Sequence, residues 1–167
     1  MSNNGPECKL YIYARAMADK EIINNRLAYH EYHILEKYEA GAVLLGTEVK
    51  SIMAGRIQLK ESYVSIKDGE IWLTGAHISH YSHGNINNHD VLRPRKLLLH
   101  RREIEKLVKE TTQKGMTLVV TSIYWKNGRI KFEIGVAKGK KLYDKRETEM
   151  RKTVEKETRA QLKERLR

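Results

Sequence analysis

Two dipeptides constrain this chain more than anything else in it. Asp68-Gly69 stands between Tyr63-Val64-Ser65-Ile66-Lys67 and Glu70-Ile71-Trp72-Leu73-Thr74, and Asn127-Gly128 stands between residues 116–125 and 129–137. Both central positions of a type I′ turn need positive φ, which Asp-Gly and Asn-Gly tolerate, so each pair predicts an antiparallel hairpin. In the second hairpin Ile130, Phe132, Ile134 and Val136 alternate with Arg129, Lys131, Glu133 and Gly135. That is a strand with one buried face and one wet, partly basic face. Tyr32 to Tyr38 reads as a further strand, followed by a turn at Glu39-Ala40-Gly41 and the apolar run Ala42-Val43-Leu44-Leu45.

Two helices are expected among these strands. Thr47 to Met53, closed by Gly55, is a short one stopped by glycine. Leu98, Ile104, Leu107 and Val108, with polar residues between them, follow a 3.6-residue period up to Gly115. Hairpin-joined strands with short helices predict a mainly β fold with α: an antiparallel β-barrel with short helices at its edges or ends, a kind that often binds oligonucleotides on its surface. At 167 residues the chain is one domain's worth. Residues 1–23 are expected to be a poorly ordered extension, 24–137 the barrel, and 138–167 the tail. Met17 offers a second plausible start, and no function is expected of the residues before it.

The charge is unevenly placed. The chain carries a formal +11, and residues 138–167 hold 12 Lys+Arg against 6 Asp+Glu. Apolar residues are sparse there, which predicts disorder or a marginal helix when the tail is alone. Glu147 with Arg151 and Glu155 with Arg159 are i,i+4 pairs in the favourable orientation, so helix against a partner is the expectation. Such a balance points to a polyanionic partner. No stretch approaches the ~18 apolar residues of a membrane span. The single cysteine, Cys8, rules out an internal disulfide framework and a cysteine-based zinc cage. No signal-peptide core is legible, and a cytoplasmic monomer is expected.

Candidate chemistry is thin. His77, His80, His83 and His89 fall within thirteen residues, yet their spacing makes no standard zinc set. A polar loop touching phosphates or base edges suits Tyr81-Ser82-His83-Gly84-Asn85 and Asn87-Asn88-His89-Asp90 better. No nucleophile elbow or phosphate-cradling glycine loop is present, and an acid–base pair such as Glu48 with His30 is indistinguishable from surface polarity. No catalytic residue, metal or cofactor is expected. Arg93-Pro94-Arg95-Lys96 carries three cations on a stretch stiffened by proline, which suits phosphate contact. A general single-strand RNA module and a histidine-dependent or metal-dependent nuclease built on the 77–89 loop are the competing readings.

A series of ordered motifs decides among these. Tyr38-Glu39-Ala40-Gly41, Gly46-Thr47-Glu48-Val49-Lys50-Ser51, Ala54-Gly55-Arg56, Glu61-Ser62-Tyr63-Val64, Arg93-x-Arg95-Lys96-Leu97-Leu98-Leu99-His100, Tyr124-x-Lys126-Asn127-Gly128 and Gly135-Val136-Ala137-Lys138-Gly139-Lys140-Lys141-x-Tyr143-Asp144-Lys145-Arg146 resemble the small protein B family of SsrA-binding proteins. The likeness runs from about Asn24 to Arg146. His80 and Val91 depart from it, standing where the family often has proline. The resemblance implies an antiparallel oligonucleotide-binding-like β-barrel with short flanking helices and a basic C-terminal tail unstructured in isolation. It also implies binding to transfer-messenger RNA (tmRNA, the SsrA RNA), delivery to stalled ribosomes and trans-translation, the protein standing in for a missing anticodon arm. It implies tmRNA contact by Glu39, Arg93, Arg95, Lys96 and Leu98, with Leu98 equally explained as core. It further implies that Gly139, Lys140, Lys141, Tyr143, Asp144, Lys145 and Arg146 meet the decoding centre and mRNA channel of the small subunit, Tyr143 by stacking.

Overall fold

A computed structural model describes residues 20–84 and 88–165; the expectations for residues 1–19, the second start at Met17 among them, and for Asn85 and Asn87 lie outside these. In chain order the elements are β1 (Lys20–Asn24), α1 (Arg26–Glu31), β2 (Tyr32–Ala42), α2 (Gly46–Met53), β3 (Ile57–Gln58), β4 (Tyr63–Lys67), β5 (Glu70–Thr74), β6 (His77–Ile78), β7 (Arg95–Leu98), α3 (Arg101–Lys114), β8 (Thr117–Lys126), β9 (Arg129–Gly139) and α4 (Leu142–Arg165).

Both expected hairpins form with the turn their sequences demand. Asp68 and Gly69 have φ of 51° and 71°, Asn127 and Gly128 of 50° and 76°. The main sheet is antiparallel, in the order β1-β8-β4-β5-β7-β2-β9, and β8 also pairs with β9. These pairings lead the sheet back onto itself, but the β4–β8 step is a single residue pair, Val64 with Leu118. The result is an oligonucleotide-binding-like curled sheet pinched at that seam rather than a fully bonded barrel. Its interior holds Ile71, Leu73, Leu97, Val120, Ile123, Phe132 and Ile134, with Ile52 of α2 and Leu107 of α3 completing the core.

Bulges in β8 and β2 sharpen the curl. Gly135 sits where they meet. A Cβ there would lie 2.9 Å from Thr121 Cγ2 and 3.1 Å from Ile34 Cγ2, so the close approach of three strands admits no side chain.

Three local expectations need correction. Glu39-Ala40-Gly41 is not a turn: β2 runs straight through it, exchanging its partner β9 for β7 at Gly41, opposite Leu98. The fully buried Ala40 holds that crossing in the core, so long-range pairing overrides the local turn propensity. Leu98 belongs to β7, and the helix after it starts at Arg101, where Glu103 reaches back to accept from the His100 N–H at 2.9 Å. It ends at Gly115 in the left-handed region (φ 59°). Finally, the sheet gains Lys20–Asn24 ahead of the expected boundary, because β1 pairs with the outer part of β8.

The body hands over to α4 through short contacts. The Lys140 N–H donates to Glu31 O at 2.8 Å and its Nζ to Tyr29 O at 3.0 Å. The Lys141 N–H donates to Asp144 Oδ2 at 3.2 Å, a cap on the new helix. Beyond this, His30 Nε2 donates to Glu149 Oε1 at 2.8 Å, and His33 Nε2 lies 3.7 Å from Asp144 Oδ2. The expected Glu147–Arg151 pair is present at 3.5 Å, while Met150 and Val154 are exposed. Among the described residues no helix is long and apolar enough to cross a membrane.

Candidate nucleic-acid interface

Short helix α2 organises the region that the sequence singled out. Its carboxylate, Glu48, is completely buried and reaches back to accept from the Leu45 N–H at 2.8 Å. Two arginines from the segment after the histidine loop close on it. Arg93 donates from Nε at 2.8 Å and from a terminal nitrogen at 2.5 Å, and Arg95 donates from Nε at 2.9 Å. Burial would raise the Glu48 pKa, but Arg93, the Leu45 N–H and Arg95 together hold it below the ordinary carboxylate value. Burial in turn lowers the Arg95 pKa against the opposing pull of Glu48.

Arg95 is not a surface residue. It is fully buried, and its remaining donors reach Ala76 O at 2.5 Å, Val91 O at 3.0 Å and Asp90 O at 3.3 Å. The expected contact of Arg95 with RNA is therefore replaced by a supporting role: it ties the 76–93 segment to α2. Arg93 keeps 27% of its side chain exposed while pairing with Glu48. Lys96, on the opposite face of β7, pairs with Glu70 and stays partly exposed. Leu98 is 50% exposed, which removes the core explanation and leaves an apolar contact surface.

Glu39 gathers the second group. Tyr124 Oη donates to it at 2.7 Å and Lys126 Nζ at 2.8 Å, while Lys131 Nζ lies at 3.2 Å. The Lys126 hydrogen bond, followed by that of Tyr124, lowers the Glu39 pKa to about 2. A carboxylate with a depressed pKa stabilises the fold above its unfolded value and loses that contribution as pH falls through the folded one. The stability gap between the wild type and Glu39→Gln is thus expected to close as pH drops from about 4.5 toward about 2, which urea titrations across that range will measure.

Between these two groups lies an open cavity of about 410 Å³, lined by Gly41, Leu44, Val49 and Leu98 on one side and by Trp125, Arg129 and Lys131 on the other. Trp125 Nε1 is buried without an acceptor among the described residues. Of the residues predicted from sequence, Leu98 lines the depression, and Glu39 adjoins it through its ion pair with the lining residue Lys131. Trp125, Arg129 and Lys131 were missed; the only sequence signal for them was the partly basic outer face of the second hairpin. Gly139, Lys140, Lys141, Asp144 and Arg146 cluster at the β9–α4 junction with the backbones of Tyr143 and Lys145, and none of them lines the cavity. Among the described residues no three His, Cys, Asp or Glu side chains converge as a metal set. His89 is spent inside: its Nε2 donates to Ile78 O at 3.1 Å, which leaves Nδ1 to accept from the Thr47 hydroxyl at 2.9 Å.

A curled antiparallel sheet with a basic, apolar-floored depression and an appended cationic helix defines an oligonucleotide-binding-like protein class. Comparison makes the class particular. The family model described as SmpB protein matches residues 22–164. An SsrA-binding protein of Carboxydothermus hydrogenoformans is 57% identical over 129 residues, covering 77% of this chain and 87% of the relative. One of Acetivibrio thermocellus is 54% identical over 153 residues, covering 91% and 99%. A solved structure described as "tmRNA-SmpB: a journey to the center of the bacterial ribosome" matches with a TM-score of 0.62 and 44% identity over 74% of this chain and 87% of that one. This chain belongs to the SmpB family.

Proposed function

We propose that this protein binds transfer-messenger RNA and carries it to stalled ribosomes for trans-translation in the cytoplasm, acting as an RNA-binding cofactor with no chemistry of its own. The observation that carries this reading is the family match over residues 22–164, which spans the curled sheet and nearly all of α4. The site geometry supports it. Folded RNA is recognised through splayed bases, 2′-hydroxyls and phosphates, and the cavity offers apolar walls with the cations Arg129 and Lys131 among its lining. Glu39 and Leu98 contact tmRNA there, Arg93 and Lys96 meet its phosphates, and Arg95 holds them in place.

The second half of the work falls to the junction and helix. Gly139, Lys140, Lys141, Tyr143, Asp144, Lys145 and Arg146 enter the decoding centre of the small subunit, and α4 follows the empty mRNA channel with cations along ribosomal RNA phosphates. Together with the tRNA-like part of tmRNA the body stands in for a missing anticodon arm.

A salt series tests the reading. Each phosphate neutralised releases a counterion, so log K should fall linearly with log salt, with a slope near −0.9 per contact on a duplex and near −0.7 on single strands. Binding to tmRNA should exceed that to an ordinary tRNA and to an unstructured RNA at every salt concentration. Equal competition by unstructured RNA would instead favour a general single-strand module.

A further inference from the structure

The histidine-rich segment between β6 and β7 is left unused by the site above, and it is built with care. Asn88 brackets Tyr81 through two hydrogen bonds: the Tyr81 N–H donates to Asn88 Oδ1 at 3.0 Å, and Asn88 Nδ2 donates to Tyr81 O at 3.1 Å. A side chain thus completes the pairing that a neighbouring strand would otherwise supply. The Gly84 N–H closes a turn onto Tyr81 O at 2.9 Å. A Cβ at Gly84 would meet Asn88 Oδ1 at 2.6 Å, so a side chain there would push Asn88 from its place against Tyr81. His89 anchors the same segment on Thr47 of α2. One helical turn further along, Lys50 sets its ammonium 5.1 Å from the centre of the Tyr81 ring. The His83 ring follows, 5.3 Å from that of Tyr81 and tilted by 44°. Its Nδ1 is 3.1 Å from Ser82 Oγ.

These contacts set two aromatic rings and a cation side by side at the surface. Tyr81 is half-buried; His83 and Lys50 are exposed. Exposed rings held at fixed angles cost little entropy when a flat partner lies on them, and a base has a π-face whatever its identity. Lys50 supplies the charge for the phosphate that accompanies such a base. The platform is distinct from the cavity. Val49 lines that cavity while Lys50 lies on Tyr81, and neighbouring residues on a helix point about 100° apart.

We propose that Lys50, Tyr81 and His83 form a second RNA contact, a stacking platform for one unpaired nucleobase with its phosphate on Lys50. The proposal rests on the RNA-binding reading above and adds to it a site with a preference for unpaired RNA.

The test uses the full-length protein with three probes: an oligoadenylate 12-mer, a 12-base-pair RNA duplex and tmRNA. His83→Ala and Tyr81→Leu should each weaken oligoadenylate binding about tenfold, the scale of one stacked base, and leave the duplex within twofold of wild type. His83→Phe should restore the loss, because it keeps a ring and removes the imidazole. Lys50→Gln should weaken binding and flatten the oligoadenylate salt slope by about 0.7. His83 is exposed, so His83→Ala remains informative if Tyr81→Leu fails to fold. Unchanged oligoadenylate affinity in His83→Ala would overturn the platform, as would an equal loss on duplex and single strand. Wild-type protein that fails to prefer tmRNA would instead sink the proposed function, with the oligoadenylate comparison still deciding the platform.

Discussion

Replacing Glu48 by alanine is expected to destabilise the protein by about 3–5 kcal/mol, the usual cost of leaving one member of a buried ion pair without its partner. The carboxylate is wholly buried and satisfies three N–H donors of Arg93 and Arg95 as well as the Leu45 N–H. Arg95, equally buried, would be left among the described residues with hydrogen bonds to three backbone carbonyls. A loss of that size is a large share of the ~5–15 kcal/mol that a domain of this kind possesses. Urea denaturation should show a much lower midpoint with an unchanged slope. Three further variants separate charge from packing. Arg93→Ala leaves the Arg95–Glu48 pair intact and should cost less. Glu48→Gln keeps the shape and should fall between. Glu48→Leu with Arg95→Met removes both charges, and should recover much of the loss, since apolar replacement of a buried pair is often neutral. If Glu48→Ala proved as stable as wild type, the ion pair would not be what ties the 76–93 segment to α2.

The same cluster makes a pH prediction. The Glu48 pKa is depressed, so its contribution is present above the ordinary carboxylate value and fades as pH falls through the folded one. Acid should therefore weaken the wild type more than the double apolar variant, and the two stability curves should converge.

Arg95 also shows what the sequence withheld. The hairpins were legible because Asp-Gly and Asn-Gly are local instructions needing no distant partner. The α2 helix and the end of α3 were legible for the same reason, through periodicity and a terminal glycine. Glu39-Ala40-Gly41 misled because its turn character is local while its fate is set by β9 and β7, both more than fifty residues away. Arg93-Pro94-Arg95-Lys96 misled in another way, reading as a uniform basic run. The signal to split it was present: in a strand, Arg95 and Leu97 share one face and Lys96 and Leu98 the other. That alternation places Arg95 with the buried Leu97 and Lys96 with the exposed Leu98, which the structure shows. Only the partner, Glu48, forty-seven residues away, could not be read. Glu39 was found through the family motif, but its consortium of Tyr124, Lys126 and Lys131 depends on the β2–β9 and β8–β9 registers and has no local signature.

Truncation after Lys141 should abolish tagging of stalled nascent chains while tmRNA affinity stays within a few-fold of wild type. The cut must fall there rather than before Lys138. Lys138 and Gly139 pair with His33 and Tyr32 in the sheet, and the Lys140 N–H donates to Glu31 O; removing them would damage the body and blur the result. Beyond Lys141 the contacts described with the body include the His30–Glu149 and His33–Asp144 pairs, both open to solvent. Exposed pairs contribute about 0–1 kcal/mol each, so the truncated protein should unfold close to the wild-type midpoint. Met150 and Val154 are 70% and 61% exposed, so little apolar burial is lost with them. Glu48→Ala and the truncation should therefore fail differently: the first loses stability and with it both RNA contacts, the second loses only the ribosomal step. A peptide-tagging assay beside a tmRNA binding titration reads both. Normal tagging by the truncated protein would show that the body alone reports the empty channel, and weak tmRNA binding would show that α4 belongs to the RNA grip. Either result would break the division of labour between curled sheet and helix.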